Sequence, residues 1–311
     1  MHRGILIIVY LLGLSLFTQI PRSFANDEKV QNITGNASLS ENGLKHHGLQ
    51  RNLEFSNFLE GWLTPWEKYE ESKTQAHRVP LLRIVPAFFK REVRFNYIYI
   101  DDEDDGELDA HEWGLALELP LTLRIKLDVE TKVLYTSGGT ENVGVGDTRF
   151  ALRAMLLESN TFSLSTGSVI DVPTGDEDRH LGSGVTTLGQ QLAFWMDMGH
   201  RISLHSFLGV DVPTGGDHKE DANVDFLYGV ALSKTFTMEN VPVLEGITPF
   251  IELNGQKGFG LEEHEEYRLD ILPGMRWDLS HELYVMHGIE IPLNGTEEFD
   301  KRVWFSVIKD F

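Results

Sequence analysis

The chain of 311 residues contains no cysteine. That excludes a disulfide framework, thiolate metal sites, c-type haem attachment and a lipid-modified cysteine anchor. Long apolar runs are nearly absent too. No internal stretch reaches the roughly 18 apolar residues of a membrane-spanning helix. The single apolar run, Gly4 to Phe17, follows Arg3 and precedes Ser23-Phe24-Ala25. This pattern predicts a secretory signal peptide over residues 1–25, cleaved after Ala25. Basic charge is also scarce, with 27 Lys and Arg against 48 Asp and Glu and a formal net charge of −21. Neutralising a phosphate backbone needs a basic face, so nucleic acid is not an expected partner. An exported chain of this size without disulfides must be held together by backbone pairing and a core, and a closed barrel supplies both while leaving no sheet edge exposed.

Residues 26–50 are polar and rich in Asn, Gly, Ser and His, and read as a flexible leader. Phe55, Phe58, Leu59, Trp62 and Trp66 then fall near one helical face. Thr64-Pro65-Trp66-Glu67 offers a fresh helix start, with Thr as N-cap and Pro at the first position. The expected organisation is a leader and short helical segment over 26–80, resting on a barrel rim or plugging its mouth, and an outer-membrane β-barrel over 81–311.

From residue 92 the period changes to two. Twelve segments can be written: 92–100, 111–119, 123–135, 147–157, 162–171, 187–197, 201–211, 223–234, 247–255, 266–278, 282–291 and 301–311. Most have about the 9–11 residues that a tilted membrane strand requires. The third alternates Leu123, Ile125, Leu127, Val129 and Val133 with Arg124, Lys126, Asp128, Glu130 and Lys132. The tenth alternates Tyr267, Leu269, Ile271, Met275 and Trp277 with Arg268, Asp270, Arg276 and Asp278. A soluble sandwich alternates as well, but apolar residues facing out and charges of both signs facing in fit a barrel in lipid better. Connections of alternating length, long and then short, match extracellular loops and periplasmic turns, with 235–246 as the exception. The fold expected is therefore all-β, a transmembrane antiparallel barrel of about 12 strands in a Gram-negative outer membrane. The last strand ends on Phe311, which resembles the terminal aromatic by which such barrels are recognised for insertion. The expected partners are outer-membrane lipid, lipopolysaccharide, the barrel-assembly machinery and a small-molecule solute.

Asp171-Val172-Pro173-Thr174-Gly175 recurs 40 residues later as Asp211-Val212-Pro213-Thr214-Gly215, and Glu290-Ile291-Pro292-Leu293-Asn294-Gly295 is a looser copy. Each copy closes a strand, where Pro has no N–H to donate and Thr-Gly begins a turn. Together with Gly144-Val145-Gly146-Asp147 and Gly182-Ser183-Gly184, these motifs resemble the outer-membrane transporter family named for the meta-pathway of phenol degradation, over roughly residues 80–311. The resemblance implies a barrel that passes small, perhaps aromatic, molecules. It carries over no site residue.

Candidate lumen residues follow from strand parity. Arg94, Arg124, Lys126, Arg149 and Arg153 come from the first four strands, and Asp171, Asp197, Asp211, Asp225 and Glu252 from the fifth to the ninth. Neighbouring strands share a wall, so basic and acidic groups are expected on opposite walls of a narrow lumen, with Glu92, Asp128 and Glu130 diluting the basic wall so that the separation is incomplete. Asp101, Glu103, Asp105, Asp109 and Glu112 fall at positions 1, 3, 5, 9 and 12 of a near-fit to a calcium loop. Strand-like flanks make an acidic hairpin loop the simpler reading, so no cofactor is expected beyond a weak calcium site. No histidine is followed by Ser at +2, the spacing that barrel lipases and deacylases resemble one another in, so an enzyme is not expected. The function expected is a channel for small amphipathic or aromatic solutes. A sealed structural or adhesive barrel and a lipid-modifying enzyme are the alternatives.

Overall fold

The computed structural model describes residues 51–52, 56, 59–62 and 74–311, except 103–107, 138–140, 221, 239–240, 261–266 and 296–298. The expected signal peptide and leader, and most of the 55–66 stretch, lie outside the described residues. The wall is formed by β1 (Glu92–Asp102), β2 (Leu108–Pro120), β3 (Ile125–Ser137), β4 (Thr148–Glu158), β5 (Phe162–Val172) and β6 (Val185–Asp197). It continues through β7 (Ile202–Gly216), β8 (Val224–Lys234), β9 (Gly246–Phe259), β10 (Tyr267–Ser280), β11 (Leu283–Gly295) and β12 (Lys301–Asp310). Each strand pairs antiparallel with its successor, and β12 pairs with β1, from Lys301↔Asp101 to Asp310↔Glu92. The barrel is closed and has twelve strands, in the twelve places where the period of two sets them. Arg124, expected within the third strand, lies instead in the turn before β3.

Side-chain exposure is inverted relative to a soluble protein. Leu115, Leu152 and Leu208 are 51%, 53% and 51% exposed, whereas Lys126, Glu252 and Glu290 are each 0% exposed. Lysine and glutamate are almost never fully buried without partners, and a contiguous apolar exterior has no stable home in water. Such a surface belongs in lipid, with all backbone groups satisfied by neighbouring strands. The protein is an outer-membrane β-barrel, and the end carrying the short turns is periplasmic. The long connection 235–246 sits at that end because the β8–β9 hairpin continues past the wall, with Phe236–Thr237 pairing Gly246 and Ile247.

The repeated motifs mark rim positions. Thr174 donates its hydroxyl to the Gly146 carbonyl at 2.7 Å, and Thr214 donates to the Thr186 carbonyl at 3.1 Å. Pro213 pairs beside the register shift between Thr186 and Thr187, and Pro292 beside the one between Leu269 and Asp270. Proline cannot complete the ladder, so a bulge absorbs it. Asp147, in the break between the short strand Asn142–Val145 and β4, holds the next loop by accepting the N–H groups of Gly175 at 3.1 Å and Ser183 at 2.8 Å.

A barrel of about 12 strands is wider than one that wall side chains alone can fill. Here the chain itself fills part of it. Residues 74–91 run inside the lumen without joining the sheet, so part of the segment expected to belong to the barrel from residue 81 is an occupant and the wall begins at Glu92. Val79, Leu81, Leu82 and Ile84 pack with Ala231, Phe250, Leu272, Tyr284, Met286 and Ile308. Ala76, Ala87 and Phe88 pack with Ala193 and Trp195. Two glycines open dents for this segment. A β-carbon at Gly229 would lie 2.6 Å from Ile84 Cδ1, and one at Gly288 would lie 2.9 Å from Leu82 Cδ1.

Candidate functional site

The inner segment leaves the leader at the periplasmic end, where Arg51–Asn52 pairs with Glu158 and Leu157 and the Leu123 N–H bonds to the Glu60 carbonyl at 3.0 Å. Arg78 then donates to the Ser159 carbonyl at 2.6 Å and lies 4.5 Å above the Trp195 ring. Beyond Pro80 the segment has no strand neighbour for its N–H groups, and a buried amide without a partner costs about 1–3 kcal/mol. Glu252 on β9 supplies the acceptor. Its carboxylate takes the N–H of Leu82 at 2.9 Å, of Arg83 at 3.1 Å and of Ile84 at 3.0 Å. Arg83 reaches Asp270 on β10 at 3.1 Å and ion-pairs with Glu290 on β11. Burial pulls the Arg83 pKa down, but Glu290 and Asp270 outweigh that and hold it above the usual arginine value. The Leu81 carbonyl accepts Arg94 Nη1 at 3.1 Å. At its far end the segment is tied by Lys90 to Asp310 at 3.8 Å and by the Phe311 N–H to the Arg91 carbonyl at 3.1 Å.

Residues 82–86 thereby form the floor of a cavity of about 310 Å³. Arg94, Arg149, Arg153, Glu118, Asp128 and Glu130 line one side, and Phe207, Leu227, Trp304, Asn254 and Gln256 the other. A second cavity, of about 580 Å³, lies beneath the plug and includes Lys90, Arg276, Tyr284 and Asp310.

Strand parity places most of the expected lumen residues on the inner face, but it gives them different jobs. Arg149 makes a forked pair with Asp171, Nε–Oδ1 2.7 Å and Nη2–Oδ2 2.8 Å, and is 43% exposed within the cavity. Arg153 bridges Asp128 and Gln191, the latter at 3.1 Å. Lys126 pairs with Glu118 and with Asp128 at 3.2 Å, under the Phe89 ring. Arg124 is buried at the periplasmic turn, with its carbonyl accepting the Met155 N–H. Asp211 stands opposite Asp225 in the β7–β8 register, and Asp225 lines a cavity at the extracellular rim. Asp197 accepts the Gly199 N–H at 2.8 Å and so caps a periplasmic turn instead of lining the constriction. Glu252 holds the plug. The separation into a basic and an acidic wall is incomplete, as the presence of Glu92, Asp128 and Glu130 among the basic strands implies. The cations of β1–β4 pair with Glu92, Glu112, Glu118, Asp128 and the adjacent Asp171, on their own side of the lumen. Cross-strand neighbours are closer than opposite walls, and Coulomb attraction selects the nearer partner.

The expected calcium ligands do not converge. Asp101 shares the outer face with Tyr99, which donates to it at 2.7 Å, and is ion-paired by Lys301. Glu112 points inward to Lys132 at 2.9 Å. Asp109 lies next to inward-facing Ala110, hence on the outer face, and Glu103 and Asp105 lie outside the described residues. Sequence inspection in the His-then-Ser order misses a pair in the opposite order. Ser203 and His205 share the inner face of β7, with Oγ and Nε2 3.0 Å apart, and Ser233 extends the chain at 2.7 Å. The group is buried against Phe88 of the plug and reads as a satisfied polar network.

A family model described as "Putative MetA-pathway of phenol degradation" matches residues 89–297. The chain belongs to this family. The matched span covers almost the whole wall of the barrel and stops before β12. Among solved structures, an outer membrane channel from Pseudomonas putida F1 aligns with a TM-score of 0.52 at 13% identity, covering 75% of this chain and 99% of that one. That likeness supports the fold. A NanC porin aligns at 0.47 with 10% identity, covering 71% and 98%, and a KdgM porin at 0.46 with 9% identity, covering 71% and 99%. No curated protein sequence matches the chain.

Proposed function

We propose that the protein is an outer-membrane channel for small amphipathic solutes, closed at rest by its own residues 74–91. The observation that carries this reading is how the plug is held. Leu82 and Ile84 pack against the wall, but the tip is fixed as well by a polar clamp of Glu252, Asp270 and Glu290 below a cavity that remains open. Contacts to buried carboxylates can be taken over by the polar groups of an incoming solute, an exchange that packed apolar surface does not offer. The cavity sets a charged wall against an apolar and amide wall, which suits a solute with one polar and one apolar face. Liposome swelling tests the proposal. Vesicles carrying the Glu252→Ala barrel should admit small amphipathic solutes, phenolic ones included, faster than vesicles carrying the wild type. Equal, protein-independent rates for both would count against a channel.

A further inference from the structure

Arg83 sits in the plug as a ligand sits in a site. We propose that Glu252, Asp270 and Glu290 form a cation-binding station of the channel, shaped for a guanidinium or alkylammonium group, with Arg83 as its internal stand-in. This rests on the channel reading above and names a class of solute for it. The three carboxylates come from consecutive strands β9, β10 and β11 and are 0%, 1% and 0% exposed. Water is therefore a poor partner for them, and a cation must be a good one. Their orientation is fixed from the wall. Trp304 Nε1 donates to Glu290 at 2.9 Å, Arg268 to Asp270 at 3.0 Å, and Asn254 to Glu252 at 3.4 Å.

Two further observations point to a ligand. Asp270 Oδ1 is buried without a hydrogen-bond partner among the described residues. The cradle thus holds an acceptor beyond those that Arg83 uses, and a free guanidinium carries more N–H groups than the single Nη1 engaged here. Arg83 and Trp304 also line the open cavity, so the station is within reach of a solute above the plug. Withdrawing Arg83 leaves three carboxylates against Arg268 and Arg302. Arg268 already serves Asp270, and Arg302 lies over the buried Phe299 ring at 3.8 Å, so two cations remain for three carboxylates.

The test uses the full-length Arg83→Ala barrel, checked as folded by heat-modifiable gel migration, and titrates methylguanidinium by calorimetry against a sodium chloride control. The inference predicts saturable binding in the millimolar range to Arg83→Ala. Binding should be lost in Arg83→Ala with Asp270→Asn and Glu290→Gln, and in the wild type, where the site is filled. A folded Arg83→Ala barrel that gives no isotherm, or an isotherm unchanged by the two carboxylate substitutions, would overturn it. If Arg83→Ala does not assemble alone, refolding with methylguanidinium is measured instead. Recovery of the folded band by methylguanidinium and not by salt supports the station, and no recovery overturns it. Bilayer conductance of the same preparations is scored separately. A conducting barrel that ignores methylguanidinium contradicts the station alone, and a barrel that binds it without ever conducting contradicts the channel.

Discussion

Gly229 on β8 faces Ile84 of the plug so closely that a β-carbon there would stand 2.6 Å from Ile84 Cδ1. The Phe207 ring is equally near, at 2.5 Å, so the plug side chain cannot shift toward β7. Gly229→Val should therefore push the plug tip off the wall. Overpacking of this kind costs about 1–3 kcal/mol. The readout is tryptic cleavage after Arg83, absent in the wild type and rapid in the variant. Unchanged protection would mean that the tip does not sit in this dent.

Glu252 gathers three backbone N–H groups at one carboxylate, so its removal should cost more than any single plug contact. Glu252→Ala strands those buried amides, and we expect about 3 kcal/mol or more of lost plug stability. Glu252→Gln keeps an acceptor oxygen and should lose clearly less. Denaturant titration of plug protection from proteolysis ranks the two, and equal losses would show that the charge, not the hydrogen bonding, holds the segment.

Much of this was legible in the sequence. Alternation such as Val129, Glu130, Thr131, Lys132, Val133 places each strand and each face, because a one-residue slip would turn Lys126 or Glu130 into lipid. The plug was not legible. Residues 81–91 are apolar enough to pass for the start of the barrel, and the aromatic stretch at 55–66 offers a more obvious helical plug. The overlooked signal is Pro80 and Pro86, six residues apart in an apolar run with no turn before Glu92. A central strand does not accept two prolines, whereas a buried segment paired to side chains does. Charge pairing is less legible, because parity fixes a face but not a register. Glu130 stands directly opposite Arg149 only once the β3–β4 pairing is known.

Arg149 is the cation of the upper lumen most open to the cavity, while Arg153 is largely buried by Asp128 and Gln191. Arg149→Glu should place a carboxylate beside Asp171 and shift ion selectivity toward cations, and Arg153→Glu should chiefly destabilise the wall. Breaking a buried pair costs about 3–5 kcal/mol. Reversal potentials under a salt gradient, measured in a plug-weakened background, check the first. Thermal unfolding in detergent checks the second. An unmoved reversal potential in Arg149→Glu would show that ions do not pass that wall.

The acidic loop should not hold calcium tightly, because Asp101 and Glu112 lie on opposite faces of their hairpin and each already faces a lysine. Calorimetry with millimolar calcium should show weak heats at most. A submicromolar site abolished by Glu112→Ala would require the hairpin to rearrange around the ion.

The claim that the lumen is a channel closed by its own chain is tested most directly by single-channel recording of the wild type beside Glu252→Ala. Weakening the plug by about 3 kcal/mol should raise the open fraction by about two orders of magnitude. The account predicts a wild type that is mostly closed with rare openings, and a variant that opens in steps of the same unitary conductance. A variant whose plug is demonstrably cut at Arg83 by trypsin, yet which passes no current, would contradict the account and leave a sealed barrel.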